Sequence, residues 1–199
     1  MKLDLVHDIQ STYRLTLDAM SRPGKIVSLS SDVTAINDSL YFFPSTWLLI
    51  HMLLDIDVTF NVISSLPEEK LALMNQLTYA KPASMHQADY IFVSHDANNS
   101  DVHAAIEQVK NGSLVDPHES ATVIIEVEAL STEAYYELRG PGIKSCTYIN
   151  IHSHVEWQTI REQRNIEYPL GIDLIFVDRK HQLIALPRTT QVTRSVNMQ

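Results

Sequence analysis

Apolar positions along this chain change period from segment to segment, and the changes mark its elements. Val6, Ile9, Tyr13, Leu17 and Met20 recur at steps of three and four, which predicts an N-terminal helix with one apolar stripe, stopped at Pro23-Gly24. Lys25 to Leu29 reads as a strand. Pro44-Ser45-Thr46 caps a helix that is apolar nearly all round, so the rest of the domain or a second subunit must cover it. Val58 to Ile63 is a further strand, and Ser65-Leu66-Pro67-Glu68 has the form of a capping box for a helix continued by Leu71, Leu73, Met74 and Leu77.

Tyr90 to Ser94 is a short apolar strand, followed by a helix from about Asp101 to Lys110 that Asn111-Gly112 ends. Thr122 to Val127 is the most β-branched run and reads as a central strand. Tyr135 to Leu138 and Thr147 to Ile151 are strands on either side of Gly140-Pro141-Gly142, and Ser153-His154-Val155-Glu156 opens a helix running to about Asn165. The runs Pro169 to Val177 and Leu183 to Leu186, joined by Asp178-Arg179-Lys180-His181, predict a hairpin buried on both faces. Strands alternating with helices, then a helix and an apolar hairpin, make an α/β fold with a mixed β-sheet flanked by helices. The expectation is a single α/β domain over residues 1–199, with about 189–199 as a flexible C-terminal tail.

The rims of the hairpin carry its chemistry. If its strands are antiparallel, Asp173 and Arg188 lie near the same end, with Thr189 and Thr190 beside them. Charges at the rims of buried strands are costly unless paired, so the first reading is a salt bridge that locks the sheet, and the second is a grip on a ligand. Gly140-Pro141-Gly142 follows a strand, where backbone amides of Gly140 and Gly142 beside Arg139 would suit an anion. It lacks a dinucleotide fingerprint and a P-loop ending, and a plain tight turn accounts for it.

Glu126 and Glu128 share a strand face, as a general acid/base pair would, but an alternating strand with Ile125 and Val127 inward gives the same letters. His152 and His154 fall across a strand-to-helix junction without further ligand spacing, so no metal site is expected. Cys146 is the sole cysteine, which leaves no intrachain disulfide and reads as a small half-buried hydrophobe.

Charge removes whole classes of partner. The chain has 24 acidic and 15 basic residues among 199, a net charge of −9, which argues against general binding to nucleic acid or to an anionic membrane. The longest apolar stretch, Trp47 to Leu54, is too short to span a bilayer, and the acids near the N-terminus do not suit a secretory leader. A soluble cytoplasmic protein is the expectation.

Three blocks also carry a resemblance. PLGIDLI at 169–175 with LIALPRTT at 183–190, the stretch from Tyr13-Arg14-Leu15 through Ala19-Met20-Ser21-Arg22-Pro23-Gly24-Lys25-Ile26-Val27, and Leu138-Arg139-Gly140-Pro141-Gly142-Ile143 are similar to the PhnH family, the H subunit of the bacterial carbon-phosphorus lyase system. The resemblance implies a fold related to the large domain of pyridoxal-phosphate-dependent transferases, without that cofactor. It also implies a homodimer that joins the G, I and J subunits in a core complex, which forms ribose 1-methylphosphonate 5-triphosphate from ATP and methylphosphonate. It supplies no catalytic residue, so an assembly subunit without its own active site is the first expectation. A phosphorylated-ligand-binding subunit or enzyme using Arg139, Asp173 and Arg188 is the alternative, and a pyridoxal transferase the third. Against the third, Lys25, Lys70, Lys81, Lys110, Lys144 and Lys180 read as lying in termini, turns or polar helix faces, none a Schiff-base setting.

Overall fold

A computed structural model describes residues 5–29 and 42–195. Its helices are α1 (Leu5–Ser21), α2 (Pro44–Leu53), α3 (Pro67–Thr78), α4 (Asn99–Ile106) and α5 (Trp157–Arg164). Seven strands form the main sheet: β1 (Val27–Ser28), β2 (Thr59–Ile63), β3 (Lys81–Pro82), β4 (Tyr90–Val93), β5 (Thr122–Val127), β8 (Asp173–Asp178) and β9 (Gln182–Leu186), in the order β1-β9-β8-β5-β4-β2-β3. Three more, β6 (Ala129–Arg139), β7 (Thr147–His152) and β10 (Gln191–Arg194), form a second sheet in the order β10-β6-β7.

The pairs from β3 to β8 are parallel, and β9 and β1 add an antiparallel edge, so the sheet is mixed as its alternating elements predict. Strands buried on both faces read as continuous apolar runs, because neither face meets water. In β5, Val123 and Ile125 enter one apolar cluster and Ile124 the other; in β8, Leu174 and Phe176 part from Ile175 and Val177 in the same way. Residues of α1, α2 and α3 cover one face, while α4, α5 and the small sheet cover the other. No helix among the described residues is long and apolar enough to cross a membrane.

The order of strands also creates an opening. From β2 the chain moves outward to β3 through α3, and from β4 it moves the other way to β5 through α4. Since α3 and α4 serve opposite faces, the segments leaving β2 and β4 part at the carboxyl edge, where open α/β sheets form a crevice.

Several expectations change here. The N-terminal helix forms, but three of the five stripe residues face outward: Val6, Tyr13 and Leu17 are 81%, 56% and 55% exposed, while Ile9 and Met20 are half-buried and Met20 packs against the core. Its inner side is Thr12, Thr16 and Ala19, small residues that let α1 lie close against α2 and β9. Thr12 tolerates burial because its hydroxyl donates to the Asp8 carbonyl at 2.8 Å. By contrast, α2 is covered by this chain itself, with Trp47, Leu48, Leu49 and Ile50 fully buried.

Neither capping box forms. Ser65 turns its backbone N–H and hydroxyl to Asp96, and the Ser153 hydroxyl accepts from the Val155 N–H at 3.0 Å. The expected tail is corrected too: within it, Gln191–Arg194 pair with Arg139 to Tyr136 of β6, while residues 196–199 lie outside the described residues.

Glu126 departs furthest from the alternating reading. It is fully buried, and its carboxylate collects the ends of two elements, the start of α2 and the end of β4. Oε1 accepts from the Phe43 N–H at 2.5 Å and the Thr46 hydroxyl at 2.7 Å, so it caps α2 in place of a local side chain. Oε2 accepts from the His95 N–H at 3.0 Å and lies 2.9 Å from His95 Nδ1. Glu128, two residues on, is exposed. Each buried donor left without an acceptor costs roughly 1–3 kcal/mol, so Glu126→Ala should lose about 3 kcal/mol or more in urea unfolding, whereas Glu128→Ala should stay within about 0.5 kcal/mol.

Candidate functional site

Asp173 opens β8 and Arg188 follows β9. Because Leu174 pairs with Leu186 in an antiparallel register, the two residues meet at one end of the hairpin. Asp173 Oδ1 accepts from the Arg188 backbone N–H at 2.7 Å and from Nε at 3.3 Å, while Oδ2 accepts from Nη2 at 2.7 Å. Arg188 Nη1 donates to the Pro117 carbonyl at 2.6 Å, in a 3-10 turn over Pro117–Glu119. The side chains are only 14% and 17% exposed. A two-pronged carboxylate–guanidinium contact with a third bond from the backbone is a rigid clamp.

The clamp orders the turn after it. Thr190 N–H donates to the Pro187 carbonyl at 2.9 Å, closing Pro187–Thr190, and β10 begins at the next residue. Arg161 of α5 reaches the same turn from the other side, with Nη2 donating to the Pro187 carbonyl at 2.7 Å and the Thr190 carbonyl at 2.8 Å. Asn165, one turn further on, accepts from the Ile172 N–H at 2.8 Å, and a Cβ on Gly171 would come within 2.5 Å of its Oδ1. The glycine, at φ +136°, gives the lead-in to β8 its close approach to α5.

Together these residues border a cleft of about 630 Å³, with Arg161, Asn165, Tyr168, Arg188, Thr189 and Thr190 among its walls. Pro117, His118, Tyr168 and Pro169 line a smaller hollow of about 330 Å³ beyond Arg188. Arg161 is 3% exposed and Thr190 2%. Burial lowers the Arg161 guanidinium to about 10, opposed by Asp173 and Glu162, so it stays charged at neutral pH.

The other residues singled out in the sequence are divided between this place and another. Gly140 lies against the turn: at φ +135°, a Cβ there would sit 2.9 Å from the Thr189 carbonyl oxygen. Gly142 lies beside the end of α1, and the Gly140 carbonyl accepts from the Ile143 N–H at 3.2 Å, as in a tight turn. Arg139 does not join Asp173 and Arg188; it pairs with Glu137 at 2.6 Å on the exposed side of β6. His154 turns to the Ala97 carbonyl at 2.9 Å, and His152 lies 3.1 Å from the Asn150 amide.

A second polar cluster, at the carboxyl edge, escaped the sequence reading. Lys70 belongs to no exposed helix face: its ammonium donates to Ser94 Oγ at 2.6 Å and Asp96 Oδ1 at 2.9 Å, and stands 4.8 Å from the Phe42 ring centroid. Ser94 Oγ reaches Glu126 Oε2 at 3.3 Å, so Lys70, Ser94 and Glu126 form one chain, with Asp96 joined through Lys70. His95 stacks on Phe43 at 5.0 Å. Desolvation pushes the Asp96 carboxyl up, but hydrogen bonds from Ser65, Lys70 and Ser94 outweigh it and hold the group at about 2 against an ordinary 3.8. A chain signal existed in the serines and acids that follow β2 and β4, yet only the strand order shows that they meet.

The geometry thus defines a mixed-sheet α/β protein whose closing hairpin is clamped by an acid–arginine pair beside an arginine-floored cleft. Its residues 3–193 match the family described as bacterial phosphonate metabolism protein (PhnH), and the chain belongs to that family. A protein of Stutzerimonas stutzeri named "Putative C-P lyase subunit protein HtxG" is 26% identical over 186 residues, covering 92% of this chain and 85% of that protein. The resemblance read from the three sequence blocks is borne out, and with it a role in phosphonate metabolism.

Two predictions follow from the charged pairs. Breaking a buried ion pair on one side strands the other charge, so Asp173→Ala should cost about 3 kcal/mol in thermal or urea unfolding, and Arg139→Ala on its exposed strand less than about 0.5 kcal/mol. For Asp96, a carboxyl lowered by folding adds stability above its unfolded value of 3.8 and loses it as pH falls toward about 2. Asp96→Asn should therefore flatten the acid side of a stability-against-pH curve across that window.

Proposed function

We propose that this protein is a subunit of the carbon-phosphorus lyase core complex, acting with the G, I and J subunits and contributing no catalytic centre of its own. In this reading the complex forms ribose 1-methylphosphonate 5-triphosphate from ATP and methylphosphonate, and the chain works in the cytoplasm as one α/β domain. The observation that carries it is the family match along nearly the whole chain, joined by the name of the Stutzerimonas relative. The polar clusters support a subunit without its own chemistry, since Asp173, Arg188, Lys70 and Glu126 are each engaged by neighbouring protein groups. An assembly subunit can still be indispensable, because it positions the groups that react.

The same reading holds that the fold is related to the large domain of pyridoxal-phosphate-dependent transferases and works without the cofactor. The parallel run β2-β4-β5-β8 supports the relationship. Lys70 is the one lysine buried among the described residues, and its ammonium is held by Ser94 and Asp96, a poor setting for a Schiff base.

A homodimer completes the proposal, and α1 is the surface assigned to it. Val6, Tyr13 and Leu17 make an exposed apolar face on a helix whose other side is already packed. An apolar stripe left in water favours self-association of like faces.

Deleting the gene should abolish growth on methylphosphonate as sole phosphorus source and leave growth on inorganic phosphate unchanged; normal growth on both, with no second copy present, contradicts the assignment. For the dimer, Leu17→Glu should give a monomeric mass by light scattering with the parent's melting behaviour. A mass that stays dimeric removes α1 from the interface.

A further inference from the structure

We propose that the cleft between α5 and the Pro187–Thr190 turn binds the phosphonyl group of a small organic phosphonate, with Arg161 and Thr190 forming its floor. The residues differ from the Arg139, Asp173 and Arg188 set suggested by sequence, and the site adds a ligand to the subunit role.

The first argument is charge. Arg161 is almost fully buried, yet its hydrogen bonds go to two neutral carbonyls, of Pro187 and Thr190, and none goes to a carboxylate. Asp173 bonds to Arg188. Asp173 and Glu162 favour the Arg161 charge from nearby, but a buried cation with no carboxylate bonded to it is still costly, and an anion arriving in the cleft, whose border also carries Glu162, would offset that cost. The second argument is unused donors. Arg161 Nε and the Thr190 hydroxyl are both buried without a hydrogen-bond partner, and both side chains border the same cleft. Buried polar groups are rarely left unmatched, and two such atoms on side chains that border one cleft would gain from an oxygen-bearing guest once the turn gives way enough to admit it.

The third argument is size and setting. About 630 Å³ is the volume of a small-molecule pocket, and the exposed Ile166 and Tyr168 at its border offer apolar contact to the carbon part of a ligand. The two residues are brought together from different elements, Arg161 from α5 and Thr190 from the turn, joined by the Arg161 bond to the Thr190 carbonyl. Choosing a phosphonate among tetrahedral oxyanions rests on the family's role in phosphonate metabolism, whereas the anion site itself rests on geometry.

The test is calorimetric titration of the full-length protein with methylphosphonate, inorganic phosphate and sulfate. Methylphosphonate should bind saturably and at least tenfold more tightly than sulfate. Thr190→Val keeps the shape and removes a hydroxyl that has no internal partner, so its melting temperature should equal or exceed the parent's while methylphosphonate affinity falls roughly tenfold. Arg161→Lys should also weaken binding by at least that factor; if it unfolds, Thr190→Val alone decides. No saturable binding of any of the three anions up to about 10 mM, a weak limit for small ligands, or unchanged binding by a folded Thr190→Val protein, would overturn the site. Equal affinity for sulfate would overturn the phosphonate assignment. None of these results bears on the subunit role, which growth on methylphosphonate decides separately.

Discussion

The carboxylate of Asp173 on the guanidinium and backbone N–H of Arg188 is the constraint on which the C-terminal third of the chain depends. Once Arg188 is fixed, the turn after β9 has one course, because its first and last residues are tied by Thr190 N–H to the Pro187 carbonyl. Those carbonyls then hold Arg161, which anchors α5 over the main sheet. The turn also delivers β10 to β6, where it completes the small sheet. Gly140 serves the same junction from the other side by allowing the Thr189 carbonyl close to β6. One ion pair therefore connects the main sheet, α5 and the small sheet. Asn165 reinforces the connection by holding the lead-in to β8 against the end of α5.

Polar groups close the carboxyl edge in a different way. There Glu126 sits in full burial and satisfies donors from the start of α2 and from Ser94 and His95 at the end of β4 at once. Lys70 and Asp96 continue the network toward the segment after β2. The crevice expected where β2 and β4 diverge is thus occupied by mutually satisfied side chains. At the opposite end, the cleft beside Arg161 keeps donors without partners. This contrast assigns structure to one end of the sheet and recognition to the other, since groups already satisfied by the protein have little left for a ligand.

Much of the fold was legible because its strongest signals are local. The runs Thr122–Val127 and Asp173–Val177 alternate between two covered faces, which leaves a continuous apolar pattern, and the Asp173–Arg188 meeting followed from antiparallel pairing alone. The stripe on α1 misled because apolar spacing marks a face without stating which partner covers it. Thr12, which bonds back to its own helix, took the inner position instead, together with Thr16 and Ala19. Glu126 and Lys70 were misread for a related reason: their solubility inside the protein depends on partners distant in sequence, such as Phe43 and Asp96. Arg161 looked like any basic residue near a helix end, and only the tertiary structure brings it to the Pro187–Thr190 turn. β10 was read as tail because four residues of mixed polarity carry no strand signal without their neighbour.

As a member of the PhnH family, the chain couples a self-satisfied sheet to a cleft whose bordering turn the clamp anchors. Hydrogen exchange on Asp173→Ala tests that dependence most directly, because amides report the stability of each element separately. The account predicts that Gln191–Arg194 of β10 lose most of their protection while Phe92, Ile124 and their neighbours in β4 and β5 remain protected. Protection of β10 equal to the parent's, or an even loss over both sheets, would contradict the claim that this pair holds the C-terminal third in place.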